Sequence, residues 1–153
     1  MRRSVIKLSR RHEWAVYGII ALVFLSGAAW AWLHFFVRSV SEFGESANPA
    51  ESWMLKVHGA AAMAVLVIIG TLLPFHAKFA WRANRNRRTG STLLATLGIL
   101  TVTGYGLYYS GSDRLRAWTS NAHLFVGLAL PIFLALHVWR GKRSRTALVS
   151  KLK

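Results

Sequence analysis

Residues 117–139 read AWTSNAHLFVGLALPIFLALHVW, a run with no Asp, Glu, Lys or Arg that carries two histidines, His123 and His137. Roughly 20 apolar residues of α-helix cross a hydrocarbon core of about 30 Å, so the run reads as a membrane span. Three more stretches have the same character: residues 14–37, 53–77 and 92–109. The only charge well inside any of them is Lys56, one turn from an end, where its aliphatic stem can snorkel to the interface. Hydrophobic residues make up 54% of the 153-residue chain and charged residues 16%, an odd balance for a soluble protein of this length. The pattern predicts an all-α transmembrane four-helix bundle, a single domain over residues 1–153.

The connections follow from the same reading. Residues 39–52 form a short acidic loop with Asn48-Pro49 as a turn signal, and residues 111–116 form a still shorter one. Residues 78–90 form a basic loop, with Thr89 or Ser91 as the expected N-cap of the third helix. Pro74 marks a kink or the start of termination in the second. A basic start followed by an apolar run is also how a signal peptide begins. Here the run is too long, and Trp30, Trp32, Phe35 and Phe36 follow it as an interface belt, so a retained helix is expected.

A net charge of +15 ordinarily suggests nucleic acid, but its distribution points elsewhere. Of the 20 Lys and Arg, 16 fall in residues 1–13, 78–88 and 140–153, which share one side of a four-span protein. That asymmetry is the positive-inside pattern; it predicts a multi-pass protein of the bacterial inner membrane with both termini cytoplasmic and no nucleic-acid partner. Most of these cations, Arg10, Arg11, Arg82 and Arg140 among them, are read as contacts to lipid head groups. The absence of cysteine excludes c-type haem attachment, iron–sulfur clusters and disulfides.

All six histidines lie within or at the edge of a span. Ionisable groups at membrane depth are costly and face the protein interior. His123 and His137 are 14 positions apart, a spacing that returns to within about 40° of one helix face with a rise of roughly 21 Å. One helix then presents two imidazoles at two depths, as two stacked haems require. Facing ligands at matching depth are His58 for His123, near the outer ends of their helices, and His12 for His137, at the inner ends. Two imidazoles leave an iron six-coordinate, which suits electron transfer. Gly59, beside His58, Gly127, one turn from His123, and Gly98, Gly104 and Gly106 on the third span are candidate small residues for seating a macrocycle or for close helix packing. His76, 18 positions from His58, is either a quinone-site residue or an alternative to His12 as inner ligand. His34, in the aromatic outer edge, reads as an ordinary interfacial histidine.

One histidine at the start of the first helix, one early in the second and two spaced by 14 on the fourth resemble the bacterial cytochrome b-561 superfamily. Its relatives include the cytochrome b subunits of nickel–iron hydrogenase and the gamma subunit of respiratory formate dehydrogenase. The resemblance is carried by Arg10-Arg11-His12-Glu13-Trp14, Val57-His58-Gly59 and residues 123–137. It implies two haem b groups, with His12 and His137 on the inner iron and His58 and His123 on the outer. It also implies that quinone reacts near the cytoplasmic haem. The chain departs from the family in its shortness and in having two further histidines.

Three functions compete on this sequence. The first is electron transfer across the inner membrane between a periplasmic redox partner, such as a dehydrogenase or multihaem cytochrome, and the quinone pool. The second is a stand-alone superoxide:quinone oxidoreductase, which would want a cationic outer funnel; Arg38, Lys56, Arg114 and Arg116 are the few cations there. The third is a haem-free membrane anchor or transporter subunit, although the spans hold none of the carboxylates a transporter would use.

Overall fold

The structure is a computed structural model that describes residues 9–42 and 44–150, and the side chains of all of these except Ser41 and residues 145–150. The basic leader expected over residues 1–8 lies outside them. Four described helical segments are long and apolar enough to cross a membrane: Arg10–Phe36, Pro49–Arg82, Arg87–Tyr109 and Asp113–Ser144. The chain divides into two compact units, Met1–His76 and Ala77–Lys153.

The first unit is an antiparallel helical hairpin. Helix α1 (Arg10–Phe36) starts at Ser9, whose hydroxyl accepts from the His12 backbone N–H at 3.2 Å, and carries Glu13 in its first turn against the positive end of the helix dipole. It ends where the Val37 N–H closes on Leu33 O. A short ribbon follows, β1 (Ser39–Ser41) paired antiparallel with β2 (Gly44–Ser46), with Gly44 at φ 103°, a conformation that favours glycine. This ribbon occupies what the sequence alone suggested was a plain loop. Asn48-Pro49 is not a turn but a helix start. The Asn48 side chain accepts from Ala50 N at 2.9 Å, Glu51 reaches back to Asn48 N at 3.1 Å, and Pro49 takes the first helical position of α2 (Pro49–Leu72). Asn48→Ala removes this cap and is expected to cost about 1 kcal/mol. Thermal unfolding in detergent should register it as a midpoint lower by about 2–4 °C.

The second helical segment does not stop at residue 77. A π-helical turn, Leu73–Ala77, takes up Pro74, whose missing N–H and bulky ring cannot fit a regular α-ladder, and the chain continues as α3 (Lys78–Arg82). Inside the first hairpin His58 meets Ser26, and Glu51 meets His34. The residue numbers of facing positions therefore sum to 84 or 85 along its length, which fixes the register.

In the second unit, residues 83–86 turn through two left-handed residues, Asn84 (φ 53°) and Asn86 (φ 50°), into α4 (Arg87–Tyr109). The third span therefore begins before Thr89 and Ser91, so neither is its N-cap. Residues 110–112 join it to α5 (Asp113–Ser150), which contains Pro131 and runs on past Arg140. Helices α4 and α5 are also antiparallel, with Thr103 facing His123 and Thr89 facing His137.

Among the described residues the buried hydrophobics are only Ile20, Ala61, Val65 and Leu130. By contrast Trp14, Leu25, Met63, Val67, Val102, Phe125 and Ile132 are 62–74% exposed. Water does not tolerate that much apolar surface on helices of this length, whereas a bilayer does, because each helix satisfies its backbone internally. Cations near helix ends lie over aromatic rings: Lys56 on Trp53, Arg87 on Trp81 and Arg143 on Trp139, at 4.5, 4.9 and 4.2 Å from the ring centroids. Length and apolarity together define a multi-pass helical membrane protein.

Candidate functional site

The four expected ligands divide evenly, His12 and His58 in the first hairpin, His123 and His137 in the second. The ring of His58 is half-buried against α1. Its Nδ1 lies 2.8 Å from the Val23 carbonyl and 3.3 Å from Ser26 Oγ. A carbonyl only accepts, so Nδ1 carries the proton and donates, and the lone pair stays on Nε2. Ser26 sends its own proton back to Leu22 O at 2.7 Å. The next residue, Gly27, makes room: a Cβ there would come within 2.9 Å of His58 Cε1.

His123 repeats the arrangement on the other hairpin. Thr103 Oγ1 donates to Ile99 O at 2.7 Å, which uses its only proton, so it accepts from His123 Nδ1–H at 2.8 Å. Gly104 lies beneath the ring, where a Cβ would be 3.5 Å from Cε1. His137 has the same neighbours fourteen residues on, with Thr89 Oγ1 at 3.2 Å from Nδ1 and Gly90 beneath the ring, its would-be Cβ again 3.5 Å from Cε1. Here the hydroxyl proton goes to Asn86 Oδ1, and Asn86 Nδ2 donates to the His137 carbonyl at 2.9 Å. That carbonyl fixes the amide orientation, which in turn fixes the proton on His137 Nδ1. Asn86 Nδ2 also lies 3.4 Å from His137 Nδ1, a longer approach than either of its neighbours.

Three histidines thus share one local design: a hydroxyl residue followed by glycine on the facing helix, with the ring N–H directed at the facing helix. Such an N–H bond to a neighbouring carbonyl or hydroxyl is how a metal-ligating imidazole is held in one tautomer with Nε2 as the donor atom. His12 differs, since its Nε2 is buried and has no hydrogen-bond partner among the described residues. A buried polar atom left in this way is unusual. The first-hairpin register places His12 opposite about Leu72, 14 residues along α1 from Ser26, the partner of His58. Levels roughly 21 Å apart are therefore marked out in both hairpins.

The other two histidines are placed differently. His76 lies in the π-helical turn, about one turn beyond the level of His12. His34 stacks on Trp30 with centroids 4.8 Å apart and donates from Nδ1 to Glu51 at 3.0 Å, so it ties the end of α1 to the first turn of α2. Sequence reasoning placed it at the interface but did not find this partner.

The glycines singled out from sequence are mostly elsewhere. A Cβ on Gly59 or Gly98 would meet nothing within 4 Å, and one on Gly127 or Gly106 would meet only Leu100 or Thr119; Gly104 alone lies under a histidine. Ser26-Gly27, Thr89-Gly90 and Thr103-Gly104 were missed as units. Their signal was present in the sequence, since the two Thr-Gly pairs are separated by the same 14 positions as His123 and His137. No cluster of three or more His, Cys, Asp or Glu among the described residues could hold a bare metal ion. A haem asks the protein for less, because its porphyrin supplies four of the iron's donors and the side chains only the axial ones. The chain matches no protein-family model, no curated protein and no solved structure.

Proposed function

We propose that the chain is a di-haem b-type membrane cytochrome that carries electrons across the bacterial inner membrane between a periplasmic redox partner and the quinone pool. The observation that carries this reading is the shared setting of His58, His123 and His137. Each half-buried ring commits its Nδ1–H to a facing helix over a glycine, which leaves Nε2 as the donor, while His12, 14 residues along α1 from Ser26, holds a buried Nε2. In this proposal His58 and His123 hold the outer haem and His12 and His137 the inner one. Bis-histidine haem exchanges one electron without opening a coordination position.

The rest is the work of the chain's own residues. Val23, Thr103 and Thr89 fix the tautomer and plane of each ring, so little rearrangement is needed when the iron's charge changes. Gly27, Gly104 and Gly90 let the rings lie close to the facing backbone. The apolar helices exclude water and meet lipid. His76 belongs, in this proposal, to the inner quinone site, where an imidazole can exchange a proton with a quinone oxygen. In this proposal the positive-inside pattern puts both termini and residues 83–86 on the cytoplasmic side.

The test is direct. Protein purified in detergent should be red, give a b-type α band in reduced-minus-oxidised spectra, and contain about two haems per chain by pyridine haemochrome. A colourless, folded preparation that stays colourless after titration with haemin sinks the proposal in favour of an anchor or transporter.

A further inference from the structure

Asn86 stands where a helix-capping side chain is expected, yet it does not cap. It is the N-cap residue of α4, at φ 50° and ψ 30°, and its side chain accepts from no backbone N–H of the first turn. Asparagine at an N-cap normally satisfies one of the orphan N–H groups there, and a non-glycine residue in the left-handed region is under strain, though asparagine tolerates it best. The helix backbone thus gains no cap from this side chain. Its amide serves His137 of α5 in two ways: directly, with Nδ2 on the His137 carbonyl at 2.9 Å, and through Thr89, whose proton goes to Oδ1 and whose oxygen receives His137 Nδ1–H. A strained residue whose amide is spent on the surroundings of one histidine points to a functional role.

We propose that Asn86 and Thr89 form a positioning relay that sets the reduction potential of the inner haem, an inference that rests on His137 being one of its axial ligands. The physical basis is the direction of the proton chain. Thr89 gives its proton to an amide oxygen, which polarises the hydroxyl and makes it a better acceptor for the imidazole N–H. An imidazole whose N–H is strongly accepted is a more basic ligand and favours the ferric state. At His123 the equivalent threonine gives its proton to the backbone carbonyl of Ile99 on its own helix. The two levels are therefore tuned by separate residues.

The experiment is a potentiometric titration of the purified holoprotein followed in the α band, together with the g-values of the oxidised low-spin signals. The inner centre is identified as the one lost in His137→Ala. Thr89→Val keeps the shape and removes the acceptor; it is expected to raise the inner potential by about tenfold in the oxidised-to-reduced equilibrium, which is about 59 mV for one electron. Thr89→Ser should restore it. Asn86→Gly, which adopts the left-handed backbone freely, should shift the same centre in the same direction by less, and it keeps the experiment decisive if Thr89→Val holds no inner haem. Thr103→Val should move the outer centre alone. Two centres that titrate unchanged in both Thr89→Val and Asn86→Gly would overturn the relay and leave the cytochrome reading intact, as would a Thr89→Val shift of both centres together. A wild-type protein with no b-type spectrum would remove the haem reading itself, and the relay with it.

Discussion

His12→Ala is expected to lower the haem content from about two per chain to about one, while His76→Ala leaves it near two. The two residues competed on sequence grounds because each can reach the inner level. Register separates them. His58 meets α1 at Ser26, and His12 is 14 residues from that contact, the same interval that separates His123 from His137. His76 is 18 residues from His58, about one turn too far, and it lies in a π-helical turn whose geometry is set by Pro74. His12 also holds a buried ring nitrogen that has no partner among the described residues. The measurement is pyridine haemochrome per chain, with reduced-minus-oxidised spectra showing which α-band component disappears. His12→Ala protein that keeps both haems, together with His76→Ala protein that loses one, would transfer the inner ligand to His76.

The membrane character and the helix count were legible in sequence because both depend on averages over roughly 20 residues, which no single side chain can disguise. Element ends were less legible, for local reasons. Asn48-Pro49 carries the composition of a turn, but Glu51 three residues on completes a capping box, which makes the same dipeptide a helix start. Pro74 was expected to kink or end the helix, and the π-helical turn lets the chain pass it and continue to Arg82. At the start of α4 the signal was masked differently. Asn86 is a good capping residue by type, but its side chain is engaged with His137, so the cap cannot be recognised by its usual bonds.

The candidate ligands were legible for another reason, since an ionisable ring inside an apolar run stands out against its background. Their partners do not stand out. Serine, threonine and glycine are common in membrane helices, and most hydroxyls here only bond back to their own helix, as Thr96 does to Thr92 O and Thr101 to Leu97 O. What separates Ser26, Thr89 and Thr103 from these is a glycine at the next position and a histidine opposite. Finding them requires the inter-helix register, which the sequence does not state. Glycines near a histidine in sequence were therefore a poor guide. Gly59 adjoins His58 in the chain, yet a Cβ there would meet nothing within 4 Å, whereas Gly27, 31 positions away, lies against its ring.

That contrast yields the second large effect. Gly27→Ala is expected to abolish the outer haem, while Gly59→Ala leaves the protein unchanged. The added Cβ at Gly27 would lie 2.9 Å from His58 Cε1 and 3.1 Å from Nδ1, closer than carbon atoms pack, so ring or helix must move. The ring has little freedom to yield, because it is held on the same side by its bond to the Val23 carbonyl at 2.8 Å. Moving it breaks that bond, releases the tautomer and swings Nε2 off its line, and loss of such support typically weakens metal binding by about 10- to 100-fold. Gly104→Ala offers the internal comparison. Its Cβ would rest 3.5 Å from His123 Cε1, an ordinary contact, so haem should be retained with at most a small spectral shift. Haem content and α-band spectra of the three variants, purified side by side, give the answer. Equal haem in Gly27→Ala and Gly59→Ala would mean that the close approach of His58 to α1 is not what fixes the ligand.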